Sequence, residues 1–313
     1  MARLRAVFHY AASAGIADRL AAAESEWLSI QACDENDDAR LFQLLAEADV
    51  LWHVLKPATA EVIRAAPNLR LIQKIGVGVN TIDLDAARAR DIAVCNMPGT
   101  NSQAVAEMAL SLMMAVLRRT CFFDARTRAG EGWTADPSEV DAVGEIAGRT
   151  VGLVGFGHSA QRLAPVLAAL GAKVAYTARS PRDVSYDFLP LDHLLAQSDI
   201  VSLHIPLTDE TRASVDPFAM KRGAVLVNTA RGELVDEARL VEALSTGHLR
   251  GAGLDVFAEE PLPRGNPLLG LPNAVLAPHI AWLTPETLVR SLTVAHENCR
   301  RLAAGEPLLH RVI

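Results

Sequence analysis

Three polar residues capable of acid–base and anion chemistry each follow a late apolar run in this 313-residue chain. Arg231 follows residues 224–228, Glu260 follows residues 251–257, and His279 follows residues 274–277. If those runs are parallel strands, all three residues stand at carboxyl ends, where open α/β sheets bind their ligands. Histidine ordinarily titrates near 6.5, so it gives or takes a proton at working pH. A glutamate on its other ring nitrogen would fix the tautomer and stabilise the imidazolium. Arginine keeps its charge and offers a fork that matches a carboxylate. Such a set suits reduction of a 2-oxo acid: Arg231 anchors the acid and polarises its carbonyl, and His279 protonates the oxygen. Singly, each has an ordinary structural reading: Arg231 capping a helix or pairing with Glu233, Glu260 in a surface turn, His279 as a structural ring. Only their joint placement argues for chemistry.

A hydride source is written into the middle of the chain. Val151-Gly152-Leu153-Val154-Gly155-Phe156-Gly157-His158-Ser159-Ala160 is an apolar strand, a glycine turn and a helix start. Gly155 permits the tight turn and Gly157 a close approach to a diphosphate. Ala160 holds the third position, which needs only a small side chain. The diphosphate would lie on the free N–H groups of the helix, beside His158 and Ser159. NAD sites usually carry Asp or Glu about 20 residues further on, against the ribose 2′-hydroxyl. Here the next strand end offers Arg179, Ser180 and Arg182 instead. A guanidinium grips a 2′-phosphate that a carboxylate would repel, so the stretch predicts NADP in preference to NAD. A solvated basic turn is the plainer reading. His204 closes another apolar run near the adenosine, and Thr229 and Ala230, just before Arg231, are assigned to the cofactor.

These residues need two sheets to position them. Short apolar runs at 4–8, 27–30, 50–55, 69–74 and 92–96 alternate with helical patterns such as 17–23 and 37–46. That alternation implies a parallel sheet. A Pro-Gly step at Pro98-Gly99 precedes a long helix at 101–119, and residues 129–148 read as a loop or excursion. Six more runs, at 151–154, 173–176, 200–204, 224–228, 251–257 and 274–277, suit a doubly wound dinucleotide fold. Residues 284–304 form a last amphipathic helix that returns to the first domain. The expected fold is therefore α/β, with a doubly wound Rossmann cofactor domain, 99–283, inserted into a substrate domain made of 1–98 and 284–313.

Composition narrows the class. Aromatics are 5% of the chain and the net charge is −7, which argues against a nucleic-acid or anionic-membrane binder. Four scattered cysteines form no C-x-x-C pair, and the nine histidines lack metal-ligand spacing, so neither a disulfide scaffold nor a metal site is expected. The N-terminus lacks a signal-peptide core, and the longest apolar stretch, 104–117, carries Glu107. A reducing cytoplasm fits. Trp52 and His53 either border a substrate or pack the core, and Met108, Met113 and Met114 read as packing or subunit contact.

With these stretches in hand, the sequence resembles the D-isomer-specific 2-hydroxyacid dehydrogenases. The matching segments are Lys74 to Asp83, Ala104 to Glu107, Thr150 to Ala160, His204 to Thr208, Asn228 to Gly232, Leu254 to Pro261 and Pro278-His279. The resemblance implies a flavodoxin-like substrate domain and a homodimer built on the cofactor domain. It implies catalytic roles for Arg231, Glu260 and His279, and backbone donation by Val77 and Gly78 to the substrate carboxylate. It also implies cofactor contacts by Val105, by Pro206 and Thr211 on the adenosine side, and by Asp255 near the nicotinamide carboxamide. The stretch through Arg179 and Arg182 looks like that of NADP-linked glyoxylate/hydroxypyruvate reductases. Asn80, Met108 and Trp282 depart from the family's usual residues, and Trp282 is read as a substrate contact that narrows the pocket. No regulatory domain fits after Ile313, which argues against the long phosphoglycerate dehydrogenases. Two other readings stand: a dinucleotide-sensing corepressor-like scaffold, and oxidation of formate or phosphite.

Overall fold

The computed structural model describes residues 3–134 and 136–313. It divides into two compact units, Met1–Asn101 with Leu283–Ile313, and Ser102–Trp282.

In the first unit, strands β1 (Leu4–His9), β2 (Leu28–Cys33), β3 (Val50–His53), β4 (Leu71–Lys74) and β5 (Ala93–Cys95) pair in parallel in the order β2-β1-β3-β4-β5. This is the flavodoxin-like order, with its switch point between β1 and β3. The crossover helices are α1 (Ala14–Ala23), α2 (Asp38–Leu45), α3 (Ala60–Arg64) and α4 (Leu84–Arg88). Each starts at a capping side chain, Ser13, Asp37, Thr59 or Asp83, that accepts from the backbone N–H three residues on. Each such cap contributes about 1 kcal/mol. Strand residues alternate between faces. Val7, Leu51, Ile72 and Val94 pack with Leu41, Leu45 and Ile63 of α2 and α3. The opposite face carries Phe8, Trp52 and Gln73, and there Asn298 of the C-terminal helix Pro285–Ala304 donates to Gln73 Oε1 at 2.6 Å.

The second unit holds β6 (Thr150–Val154), β7 (Lys173–Thr177), β8 (Asp187–Phe188), β9 (Ile200–Leu203), β10 (Val225–Asn228), β11 (Gly251–Leu254) and β12 (Ala274–Leu276). They form one parallel sheet, β12-β11-β10-β9-β6-β7-β8, the dinucleotide-binding order extended by a strand. The two faces separate cleanly along the strands. Val225 and Val227 join Val151 and Leu153 against α5 (Ser102–Arg118) and α8 (His158–Ala169), while Leu226 joins Val201 and Leu203 against α9 (Leu191–Gln197) and α10 (Glu237–Ser245).

Three details differ from the sequence reading. The sheet has seven strands rather than six, because the two-residue β8 is too short to carry a periodic signal. The long helix ends at Arg118, and the chain turns at Arg119 (φ 50°) into α6, Thr120–Arg128. The stretch 129–148 contains α7, Pro137–Asp141, started by an Asp136/Glu139 capping box. Arginine side chains pin its C-terminal end: Arg119 donates to the Glu139 carbonyl at 3.1 Å, and Arg250 to that of Ala142. Cations favour helix C-termini in this way. No helix among the described residues is long and apolar enough to cross a membrane.

Candidate active site

The carboxyl edge of the second sheet gathers the charged residues. Asn228, the last residue of β10, is 2% exposed and templates the loop after it. Its Oδ1 accepts from Ala230 N–H at 3.0 Å and its Nδ2 donates to the Arg231 carbonyl at 2.8 Å. Gly232 then lies so close to Phe257 that a Cβ would sit 2.0 Å from the Phe257 carbonyl carbon. Only glycine allows that approach, which ties the Arg231 loop to the turn carrying Glu260. Arg231 donates to the Ala230 carbonyl at 2.6 Å. Burial pulls its guanidinium below arginine's ordinary value, while Glu260 and Glu233 pull it back up.

Glu260 and His279 form the central pair. Glu260 Oε2 lies 2.6 Å from His279 Nδ1, and Glu260 Oε1 accepts from Phe257 N–H at 2.9 Å. Burial alone would raise the carboxyl, but the His279 hydrogen bond, its charge, Phe257 N–H and Arg231 together hold it below its usual value. A carboxylate at Nδ1 makes that nitrogen the donor and leaves Nε2 as the working atom.

His279 adopts a left-handed backbone, φ 54°, which is strained for a residue with a side chain. Asp255 stabilises it. This carboxylate is fully buried, and its two oxygens accept from Ile280 and Ala281 N–H, each at 2.9 Å. Two charge-assisted bonds at about 1.5–3 kcal/mol each outweigh about 1–3 kcal/mol of strain. Burial raises the Asp255 carboxyl and these two N–H groups draw it down. Asp255 thus holds the His279 turn. Trp282 is 7% exposed and its indole N–H donates to the His279 carbonyl at 3.1 Å, so it supports the same turn.

The glycine loop sits at this sheet's switch point, between β6 and β9. Gly155 has φ 97°, and a Cβ there would lie 2.5 Å from the His204 carbonyl oxygen. Gly157 begins α8 without a side-chain cap, and the N–H groups of His158, Ser159 and Ala160 meet no acceptor among the described residues. A Cβ on Gly157 would meet nothing within 4 Å. Open space over free N–H groups at the start of a twelve-residue helix fits a diphosphate. Thr229 adds to the fit: it is 8% exposed, and its buried hydroxyl finds no partner. The residues present therefore suit a bound dinucleotide.

The remaining assigned residues have these places. Arg179, Ser180 and Arg182 follow β7, and Arg182 N–H donates to the Tyr176 hydroxyl at 2.7 Å. His204 is half-buried, accepts or donates at Ser202 Oγ (2.9 Å), and is pushed down to about 4 by burial. Thr211 Oγ1 donates to the Pro206 carbonyl at 2.8 Å, closing the loop after β9. Val105 is half-buried on α5. Val77 and Gly78 belong to the first unit, after β4. Their N–H groups meet no acceptor among the described residues, while the Gly76 and Val77 carbonyls are held by Met97 N–H (2.8 Å) and Asn96 Nδ2 (3.0 Å). Asn228 is the positioning residue that sequence reasoning left without a role, although a polar residue closing an apolar strand was a readable signal.

Comparison with known proteins agrees with this geometry. Residues 110–281 match the family model described as D-isomer specific 2-hydroxyacid dehydrogenase, NAD binding domain. The chain is 40% identical over 307 residues to a D-3-phosphoglycerate dehydrogenase of Mycobacterium tuberculosis, a match covering 93% of this chain and 57% of that protein. The chain thus spans little more than half the length of that relative. It is 38% identical over 276 residues to a glyoxylate reductase of Korarchaeum cryptofilum, covering 85% of this chain and 83% of that one. The crystal structure of a Thermus thermophilus protein superposes with a TM-score of 0.87 at 41% identity, covering 99% of this chain and all of that one. With a family model over residues 110–281 and 38% identity to a relative across 85% of its length, the chain belongs to the D-isomer specific 2-hydroxyacid dehydrogenase family.

Proposed function

We propose that this protein is a D-2-hydroxyacid dehydrogenase working mainly as an NADPH-linked reductase of small 2-oxo acids, with glyoxylate or hydroxypyruvate as substrate. The 2.6 Å pair between His279 Nδ1 and Glu260 carries the reading, because a ring so paired presents Nε2 for proton transfer. When bound, the reduced nicotinamide supplies the hydride. His279 then delivers its Nε2 proton to the oxygen that becomes the hydroxyl, and Glu260 stabilises the ring while it is charged. Arg231 binds the anionic substrate and draws electron density towards its carbonyl oxygen. The N–H groups of Val77 and Gly78 receive the substrate carboxylate. Asp255 and Trp282 keep the His279 turn in place.

NADP preference is supported by Arg179 and Arg182, beyond β7, with no carboxylate in their segment until Asp183. A reducing, cytoplasmic setting is supported by four free thiols, Cys33, Cys95, Cys121 and Cys299. Homodimerisation through the second unit is supported by Trp133, 87% exposed, and Val140, 56% exposed, on the excursion after α6. A scaffold role has less support, since it gives the Glu260–His279 pair nothing to do.

The test is a panel of glyoxylate, hydroxypyruvate, pyruvate, phosphohydroxypyruvate, formate and phosphite with NADPH and NADH or their oxidised forms, followed by nicotinamide absorbance. Fastest turnover of a 2-oxo acid with NADPH is expected. Tight NADPH binding with no turnover of any member would favour the scaffold, and phosphohydroxypyruvate as clear best substrate would displace glyoxylate.

A further inference from the structure

Beside the loop that offers the Val77 and Gly78 N–H groups, the first unit buries a lysine. Lys74 ends β4 and is 5% exposed. Its Nζ donates to the Val54 carbonyl and lies 3.3 Å from His53 Nδ1. His53 is fully buried, and its Nε2 is 3.5 Å from Thr81 Oγ1, on the far side of the same loop. Register places His9, His53 and Lys74 in one row across β1, β3 and β4, at the carboxyl edge that includes this sheet's switch point. Ligands of such sheets bind at that edge.

The row ends at β4 on a lysine whose Nζ is bonded on both sides. Burial and the neighbouring Lys74 push His53 well below its ordinary value, so the ring is neutral and accepts from Lys74 at Nδ1. Its Nε2 then bears hydrogen and donates to Thr81. The lysine chain runs directly under the loop: a Cβ on Gly76 would lie 3.5 Å from Lys74 Cε. The Gly76 and Val77 carbonyls are taken by Met97 and Asn96, the Val77 and Gly78 N–H groups meet no acceptor among the described residues, and the lysine chain passes close to Gly76. Backbone N–H groups of this kind already favour an anion, and a poorly solvated cation strengthens that field, since burial weakens screening.

We propose that Lys74 is a positioning residue for the substrate carboxylate, acting through the Gly76–Val77–Gly78 loop to make the enzyme choose a 2-oxo acid over its uncharged ester. This rests on the reading that Val77 and Gly78 receive that carboxylate. The ester is the discriminating probe, because a merely structural lysine would affect acid and ester alike.

The experiment compares kcat/KM for glyoxylate and methyl glyoxylate in the wild type, Lys74→Met and Lys74→Arg. The acid-to-ester ratio is expected to fall about tenfold in Lys74→Met, mostly through the KM of the acid, and to persist in Lys74→Arg, with NADPH affinity unchanged in both. Should Lys74→Met fail to fold, Lys74→Gln, which keeps a donor for Val54 and His53, carries the same reading. An unmoved ratio in an active variant, or equal losses on acid and ester, overturns the proposal and leaves the dehydrogenase reading standing. A wild type that reduces no 2-oxo acid takes both down.

Discussion

Replacing Glu260 by glutamine removes one charge from the His279 pair and changes little else in volume. The structure allows the consequence to be sized. The native contact is a 2.6 Å bond to a carboxylate whose other oxygen is held by Phe257 N–H. A bond to a charged group contributes about 1.5–3 kcal/mol and a neutral one about 0.5–1.5, so the charged ring loses about 1–1.5 kcal/mol of support. The Glu260 side chain is 33% exposed, which favours the lower part of that range. Carboxylate and charged ring stabilise each other, and reduction consumes the ring's proton, so the alkaline limb of kcat/KM for reduction moves towards acid. Above that limb the variant is about tenfold slower, and well below it the deficit shrinks. In the oxidative direction, where the ring accepts the proton, the acid limb moves the same way and activity extends to lower pH. The assay is a pair of pH–kcat/KM profiles in each direction, for wild type and Glu260→Gln. A limb that stays where the wild type has it refutes the charge argument. A uniform loss at every pH would mean that Glu260 only orients the ring.

Gly155→Ala forces a Cβ to 2.5 Å from the His204 carbonyl at φ 97°, whereas Gly157→Ala meets open space at φ −82°. The first variant is therefore expected to lose about 3 kcal/mol of stability or fail to fold. The second should melt with the wild type but bind NADPH at least about tenfold more weakly, because its methyl occupies the space over the helix start. Calorimetry with dinucleotide titration checks both, and equal melting temperatures for the two would contradict the argument. Thr229→Val removes a buried hydroxyl that has no partner. Since such a group costs about 1–3 kcal/mol, the free protein should melt at the same temperature or higher while its dinucleotide affinity drops several-fold. A less stable variant with unchanged affinity would show that the hydroxyl serves the fold. Arg179→Ala with Arg182→Ala should raise the KM of NADPH about tenfold or more and leave that of NADH within a few-fold. Equal effects on both cofactors would remove the basis for NADP preference.

What the sequence alone reveals depends on how local the cause is. The glycine turn is legible because its chemistry lies within ten consecutive residues, and the parallel character of both sheets follows from alternation of apolar runs and helical patterns. Two-residue β8 carries too little pattern to be seen, and the break at Arg119 falls at a residue with no turn-forming tendency, where side-chain bonds to α7 decide the path. The D-P-S-E signature of that short helix is a readable start signal within a stretch whose composition otherwise suggests a loop.

The supports of the catalytic residues are hidden for a different reason. Asp255 holds Ile280 and Ala281 from 25 and 26 residues away, and Gly232 meets Phe257 across a strand crossover. Nothing in their sequence surroundings shows that Asp255 and Trp282 also hold the His279 turn; those bonds exist only once the strands are in place. The distinction is one of burial. A carboxylate sealed from solvent with both oxygens on backbone N–H groups stabilises a left-handed histidine. Arg231, Glu260 and His279 keep part of their polar surface accessible and so remain able to exchange protons and bind anions. The proposed catalytic residues and the groups that brace them thus differ in exposure and in which atoms are already bonded, and both quantities arise only when the strands have come together.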